Sequence, residues 1–397
     1  MGNAAHKTTR IFLVAGEASG DILAADLVGS LRECFDGHVE FAGIGGPAMA
    51  GQGISSSIAL SQLSVLGYLE GLVAWRRIAI LAKETAHRAD AFGADIVVLV
   101  DSWGFTLRVA RALRQIRPRA LLVKYVGPQV WASRPGRVKT LAGAVDHLLA
   151  IHPFDARYYA NTSLPVTFVG NPAVSQAVQG DGMALRKRLG LAPHAKILLV
   201  LFGSRKAEFE RLHRPFVDAV RRLRAQHPDL VVIAPLSAAI ASQVRTAAAD
   251  DADLQNIILV DEGQRNDAFA AADLALACSG TVTTQLARYG VPMVVGYRLG
   301  AISGNLIRTF FLRSQICLLN IAMGRQIVPE FVQGGCRAGP LADALHVLLD
   351  DDAALMAQRR NLAAAITAMR KGDISPAQKA ASTIKALWLE RGNALKN

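Results

Sequence analysis

The chain contains no GxGxxG fingerprint, no GxxxxGK[ST] loop and no HExxH spacing. The first absence counts against a nicotinamide cofactor, the second against a P-loop nucleotide site, and the third against a zinc-protease helix. Its four cysteines, Cys34, Cys278, Cys317 and Cys336, are scattered without a CxxC pair or other ligand spacing. They read as free thiols in a reducing compartment rather than as a disulfide framework or thiolate metal site. No uncharged apolar segment reaches the roughly 18 residues that a spanning helix needs. Near the N-terminus, Lys7 and Arg10 flank an apolar run, but it extends only from Ile11 to Ala15. That is too short for a signal-peptide core, so the run reads as a first strand and a cytoplasmic protein is expected.

The 397 residues exceed what one hydrophobic core comfortably serves, and 51% apolar content supplies material for two. Lys and Arg number 44 against 32 Asp and Glu, a net charge of +12. This balance favours anionic partners: nucleic acid, phosphorylated small molecules or an acidic membrane surface.

Short apolar runs alternate with longer segments of helical periodicity. "IFLVAG", "VEFAGI", "DIVVLVD", "ALLVKYV" and "HLLAIH" form one strand series, and "AKILLVLFG", "DLVVIAPL", "NIILVDEG", "ADLALACSG" and "VPMVVGY" a second. Nearly continuous apolar strands imply parallel sheets covered by helices on both faces. The fold class expected is α/β, with two Rossmann-like doubly wound domains joined near residues 171 to 182. The boundaries set are 1–172 and 173–397, with the last helix free to pack back on the N-terminal domain.

Ligands of such folds bind at the carboxyl ends of the strands. Four loops there carry the candidate chemistry. "GEASGD" (Gly16, Glu17, Ser19, Gly20, Asp21) follows the first strand, and Ser19 or Asp21 is suited to cap the next helix. "VDSWGF" places Asp101 at the end of a buried strand, where it either caps a helix starting near Phe105 or faces ligand. "LFGSRKAE" contributes Gly203, Ser204 and Arg205; "CSGTVTTQ" contributes Ser279, Gly280, Thr281 and Gln285. Backbone N–H groups at the last two turns, with the guanidinium fork of Arg205, suit a diphosphate. "GIGGPAM" (Gly43 to Met49) is a further glycine-rich turn. His147 and His152 do not share a face and read as structural, with His152 near the mouth.

The blocks "VAGEASGD", "GIGGPAM", "LSVLGYLEGL", "VGPQVWASRPGRVKTLAGAVDHLLAIHPFD", "VGNP", "GSRKAE", "SGTVTTQLARYGVPMVVGYR" and "LLNIAMGRQIVPEF" occur in this order across almost the whole chain. Together they resemble the lipid-A-disaccharide synthase family. The resemblance implies a GT-B glycosyltransferase whose two domains face a cleft. It implies transfer from UDP-2,3-diacylglucosamine to the 6-hydroxyl of 2,3-diacylglucosamine 1-phosphate, giving a β-1,6-linked disaccharide 1-phosphate and UDP, as in Gram-negative bacteria. No metal-ligand cluster is visible in the chain, and no cofactor, metal or nucleic-acid partner is expected. The resemblance places the protein in the cytoplasm, peripheral at the inner face of the cytoplasmic membrane, and leaves a homodimer open.

On this resemblance Asp101 and Arg205 are the expected catalytic residues, with Asn320 added to the substrate-binding set. The sequence departs from the family pattern at several points. Gly104 and Thr106 replace an Asp and an Asn after Asp101, Gln285 stands where a Glu is usual, and Leu319 replaces a proline before Asn320. Contact with lipid is expected from Val65 to Lys83, through Leu66, Leu69, Leu72, Val73, Trp75 and Ile78 beside Arg76, Arg77 and Lys83. "GNLIRTFFLR" is a second candidate. Two alternatives stay open: a UDP-sugar epimerase of similar fold, and a non-catalytic UDP- or lipid-binding protein.

Overall fold

A computed structural model describes residues 8–63, 71–131, 134–175, 177–298, 315–370 and 372–394. The chain divides into two compact units, Met1–Ser175 with Lys371–Asn397, and Gln176–Arg370. Each contains a six-stranded parallel sheet.

In the first unit the strands are β1 (Thr9–Ala15), β2 (Val39–Ile44), β3 (Ile96–Val100), β4 (Leu121–Tyr125), β5 (His147–Ala150) and β6 (Val166–Phe168), in the spatial order β2-β1-β3-β4-β5-β6. In the second they are β7 (Ile197–Leu201), β8 (Val231–Pro235), β9 (Ile258–Val260), β10 (Leu274–Cys278), β11 (Met293–Tyr297) and β12 (Glu330–Val332), ordered β12-β11-β10-β7-β8-β9. Both are doubly wound Rossmann-like sheets. The direction of winding reverses between β1 and β3 in the first unit and between β7 and β10 in the second, and these switch points leave a crevice at the strand ends.

The central strands are buried along their whole length because helices cover both faces. Every residue of β3, β4, β7 and β10 is buried, so Val, Ile and Leu occupy both sides of the pleat. One exception stands inside β4: Lys124, in "LLVKY", is 2% exposed.

The last helix, Pro376–Ala394, belongs to the first unit. It places Ala380, Ala381 and Ile384 in the same core as Leu27, Val28 and Leu31 of the helix Ala18–Cys34 and Ile11, Leu13 and Val98 of the sheet. Lys385 Nζ donates to the Cys34 carbonyl at 2.5 Å, and Arg391 pairs with Asp146 at 3.2 Å. Ile384 is fully buried, so Ile384→Ala should cost about 2–5 kcal/mol, the range for losing this much buried side chain. Urea unfolding of the first unit measures it. A loss below about 1 kcal/mol would show that the helix is not part of that core.

Candidate active site

At the β1/β3 switch point two loops press against each other. A Cβ on Gly16 would lie 2.6 Å from Ser102 Oγ, so only glycine lets the turn after β1 meet the turn after β3. Asp101 and Ser102 both have left-handed backbones, φ 47° and 40°, a conformation that costs non-glycine residues of order 1–3 kcal/mol each. Surrounding contacts hold them there. Lys124 Nζ donates to the Asp101 carbonyl and, at 2.8 Å, to Thr106 Oγ1, whose hydroxyl itself bonds the carbonyls of Asp101 (2.9 Å) and Ser102 (3.0 Å).

The helix after β3 begins at Trp103, with Ser102 at the cap position and no side-chain cap bond. The Asp101 carboxylate does not cap it; Oδ2 accepts from Ser19 Oγ at 3.3 Å. Where the family pattern has a second acid, Gly104 leaves room, with Arg108 Nη1 donating to its carbonyl. Glu17, exposed, occupies the cap position of the helix Ala18–Cys34 with an extended backbone and no side-chain cap bond. A Cβ on Gly20 would lie 3.4 Å from the Val100 carbonyl oxygen.

Neither residue proposed to cap that helix does so. The helix starts at Ala18, so Ser19 and Asp21 already lie in its first turn. Asp21 is buried and points across to the next loop, accepting from the backbone N–H groups of Gly46 (2.7 Å), Ala48 (2.8 Å) and Met49 (3.1 Å). The carboxylate thereby fixes "GIGGPAM" and caps the short helix Pro47–Gly51. Gly45, Gly46 and Leu60 line a depression of about 590 Å³ beside it.

In the second unit the turns after β7 and β10 lie on adjacent strands. Gly203 has φ +105°, and a Cβ there would meet Glu208 Oε2 at 2.5 Å. Glu208, 8% exposed, fills the inside of the turn. It accepts from the N–H groups of Ser204 (3.0 Å) and Arg205 (3.3 Å) and binds Arg205 Nη1 at 3.2 Å. The two amides expected to hold phosphate are thus taken by a side chain, while Arg205, 78% exposed, presents the rest of its guanidinium outward. Across the adjacent strand end, Gly280 leads into the helix Thr281–Arg288, and Ser279 Oγ donates to the Ile316 carbonyl at 3.3 Å. Burial, with the neighbouring Glu208 carboxylate, pushes the Cys278 thiol up to about 12, which removes it as a nucleophile at neutral pH.

Gln285 Oε1 accepts from Arg265 Nη2. Asn320, fully buried, donates to the Val328 carbonyl (2.8 Å) and Glu330 Oε1 (3.1 Å) and accepts from the N–H groups of Ile327 (2.7 Å) and Val328 (2.9 Å). Both amide donors and both lone pairs are used, so its side chain has no capacity left for a ligand. Glu330 Oε2 in turn accepts from Ile316 N (3.0 Å) and Cys317 N (2.9 Å), continuing the network to the loop that Ser279 touches.

Lys124, Glu208 and Glu330 were missed in the sequence. Lys124 alone gave a signal, a charge inside an apolar run on a central strand, where lysine is almost never buried without a partner. His152 is buried, its ring stacked on Phe154 at 5.1 Å and edge-on to Trp131 at 6.2 Å; burial pushes it down to about 4, so the imidazole is neutral. His147 bonds Thr167 Oγ1 at 2.8 Å.

Among the described residues no helix is long and apolar enough to cross a membrane. Leu66 and Leu69 lie outside the described residues, as do the side chains of Leu72, Val73 and Trp75 and all of "GNLIRTFFLR". Ile78 was expected to face lipid, yet it is buried in the sheet-covering core because the inner face of the helix Gly71–Ala91 packs there. Arg76, Arg77, Ile80 and Lys83 are exposed.

The architecture is that of the GT-B class, two Rossmann-like units each with its switch point. Among solved structures, a putative UDP-N-acetylglucosamine 2-epimerase from Listeria monocytogenes matches with TM-score 0.65, 16% identity and coverage of 96% of this chain and 97% of the other. A UDP-GlcNAc 2-epimerase from Neisseria meningitidis, bound to UDP-GlcNAc, matches with TM-score 0.58 and 13% identity over 98% and 100%. At such identities the likeness concerns the fold alone.

The family is fixed by sequence. The model described as lipid-A-disaccharide synthetase matches residues 11–384. The lipid-A-disaccharide synthase of Rhodospirillum centenum is 39% identical over 95% of this chain and 94% of the relative. That of Paramagnetospirillum magneticum is 36% identical over 94% and 96%. The chain belongs to the lipid-A-disaccharide synthase family.

Burial pushes the Lys124 ammonium down to about 7, against the opposing pull of Asp101 and Glu17. Between about pH 7 and the ordinary lysine value of 10.5 the unfolded chain therefore binds more protons at this site than the folded one, and stability rises with pH. Raising the pH from 7 to 9 should stabilise the first unit by about 2 kcal/mol through this group. Lys124→Met should remove that increment. Equal pH dependence in variant and wild type, read by urea unfolding, would refute the shift.

Proposed function

We propose that this chain is an inverting glycosyltransferase joining UDP-2,3-diacylglucosamine to 2,3-diacylglucosamine 1-phosphate. The products are the β-1,6-linked disaccharide 1-phosphate and UDP. Family membership supports the reaction, and the observation that carries the mechanism is Asp101. It is a carboxylate at a topological switch point, held by a strained backbone, with no capping role and, among the described residues, only the Ser19 hydroxyl bonded to it.

In the proposed step the acceptor 6-hydroxyl oxygen forms a bond to the donor C1 while the C1–O bond to the diphosphate breaks. Its electron pair leaves with UDP, and the hydroxyl proton passes to the Asp101 carboxylate. Lys124, bonded to the Asp101 carbonyl and to Thr106, fixes the backbone from which that carboxylate projects. Glu17, Gly16, Ser19 and Gly20 shape the same crevice.

The second unit holds the departing diphosphate. Glu208 occupies the amides of Ser204 and Arg205, so the work falls to the outward guanidinium of Arg205 and to the N–H groups opening the helix at Thr281. A cation fork and a helix N-terminus both favour the charge that develops on the leaving group. Gln285 and Asn320 act behind them, Gln285 through Arg265 and Asn320 by setting the path of residues 327–328.

The acyl chains of such substrates reside in a bilayer, and a peripheral position at the inner face of the cytoplasmic membrane completes the proposal. The exposed Ile80 beside Arg76, Arg77 and Lys83, together with the net charge of +12, supports it.

Asp101→Asn keeps the shape but removes the proton acceptor. Disaccharide synthesis should fall by roughly two to four orders of magnitude, while UDP binding, measured by calorimetry, stays near wild type. Near-normal synthesis by this variant would sink the general-base role. Arg205→Ala should leave the fold intact and lower turnover by on the order of a hundredfold or more, with Lys rescuing only part because it lacks the planar fork. Full activity of the alanine variant in a UDP-release assay would remove Arg205 from the site.

A further inference from the structure

Helices in these units run back from the carboxyl ends of the strands, so their last turns lie at the opposite edge of the sheet. There, in the second unit, the helix Ala338–Asp350 ends beside the turn that follows the helix Lys206–Arg224. His346 and Asp350 stand one helical turn apart, and His227 meets them from the turn. His227 Nε2 lies 3.1 Å from His346 Nδ1 and 3.6 Å from Asp350 Oδ1, and His346 Nδ1 lies 3.3 Å from Asp350 Oδ2.

A proton on His346 Nδ1 shared between His227 Nε2 and Asp350 Oδ2 accounts for the two shorter contacts but leaves His227 and Asp350 at 3.6 Å, beyond hydrogen-bond reach. A cation among the three would be met by both rings and the carboxylate together. Tetrahedral zinc, with ligands at about 2.0–2.1 Å, separates adjacent donor atoms by about 3.3 Å; the two ring nitrogens stand 3.1 Å apart, and one carboxylate oxygen of Asp350 lies with them within 4.8 Å, so a turn of this half-exposed side chain would set one oxygen against both rings. The carbonyl end of the helix adds negative potential at His346 and Asp350, and side-chain exposures of 23%, 41% and 51% leave an open path for an ion.

We propose that His227, His346 and Asp350 form a three-ligand site for a borderline first-row dication, Zn²⁺ foremost, with water completing the coordination. Two imidazoles and one carboxylate suit this class better than the hard, oxygen-seeking Mg²⁺ or Ca²⁺. The ion would join the end of one helix to the turn following another, far from the strand ends where the second unit's candidate diphosphate residues lie. Its effect would therefore be on stability rather than on the chemical step. No ligand spacing announces the cluster, because His227 and His346 are 119 residues apart.

The test is titration of the EDTA-treated full chain with Zn²⁺ by calorimetry, and with Co²⁺ by visible absorption. One saturable equivalent is expected, with the intense d–d bands of four-coordinate Co²⁺ and a rise in melting temperature on adding Zn²⁺. H227A and H346A should each lose the saturable equivalent and the temperature rise while melting normally without metal. D350N, at a half-exposed position, should weaken binding and repeats the test should either histidine variant fail to fold. Absence of a saturable equivalent, or binding unchanged by D350N and by the histidine variants that fold, would overturn the site and leave a hydrogen-bonded histidine pair.

Discussion

The loops of both candidate crevices depend on one kind of interaction: a carboxylate turned inward to accept backbone N–H groups. Asp21 holds three amides of the Gly46–Met49 segment, Glu208 holds those of Ser204 and Arg205, and Glu330 holds those of Ile316 and Cys317. Hydrogen bonds to a charged acceptor are stronger than neutral ones. The backbone donors they satisfy would otherwise stand unpaired in tight turns. Glycine is the complement of this device, since Gly203 makes room for the carboxylate that organises its own turn. The candidate residues not spent on this device are Arg205 and the start of the Thr281 helix in one unit, and Asp101 and its neighbours in the other.

Both crevices lie where the winding of the sheet reverses, which explains why residues far apart in the chain share a site. Ser19 and Asp101 are 82 positions apart and bonded; the turns after β7 and β10 are neighbours for the same reason. The strain at Asp101 and Ser102 belongs to the β1/β3 crevice. Thr106 and Lys124 fix the backbone from beneath while Gly16 admits the adjoining loop, so the left-handed geometry is over-determined from two sides.

Much of this is legible in the sequence itself. Buried parallel strands advertise themselves as unbroken apolar runs, and "IVVLV" and "ILLVL" are strands from end to end. Glycine-rich turns after such runs mark candidate sites near Gly16 and Gly203. What stayed hidden was the partner of each polar group. Nothing in the spacing of Asp21 says that its carboxylate crosses to Gly46, or that Asn320 uses its whole amide on residues 327–330. The helix Gly71–Ala91 shows the same limit, because periodicity announces an apolar face without saying whether it meets a sheet or a bilayer. Ile78 meets the sheet.

The assignment of the helix Pro376–Ala394 to the first unit has a consequence for biosynthesis. Residues Gln176–Arg370 intervene between the two parts of that unit. At about 5–20 residues per second, translation of the insert takes roughly 10–40 s. Throughout that interval the surface formed by Leu27, Val28 and Leu31 lacks its cover of Ala380, Ala381 and Ile384. The second unit, continuous in sequence, has all its strands synthesised before that cover exists. The first unit to begin emerging from the ribosome is thus the last to be completed, and the nascent chain carries an exposed apolar face for a chaperone to shield in the meantime.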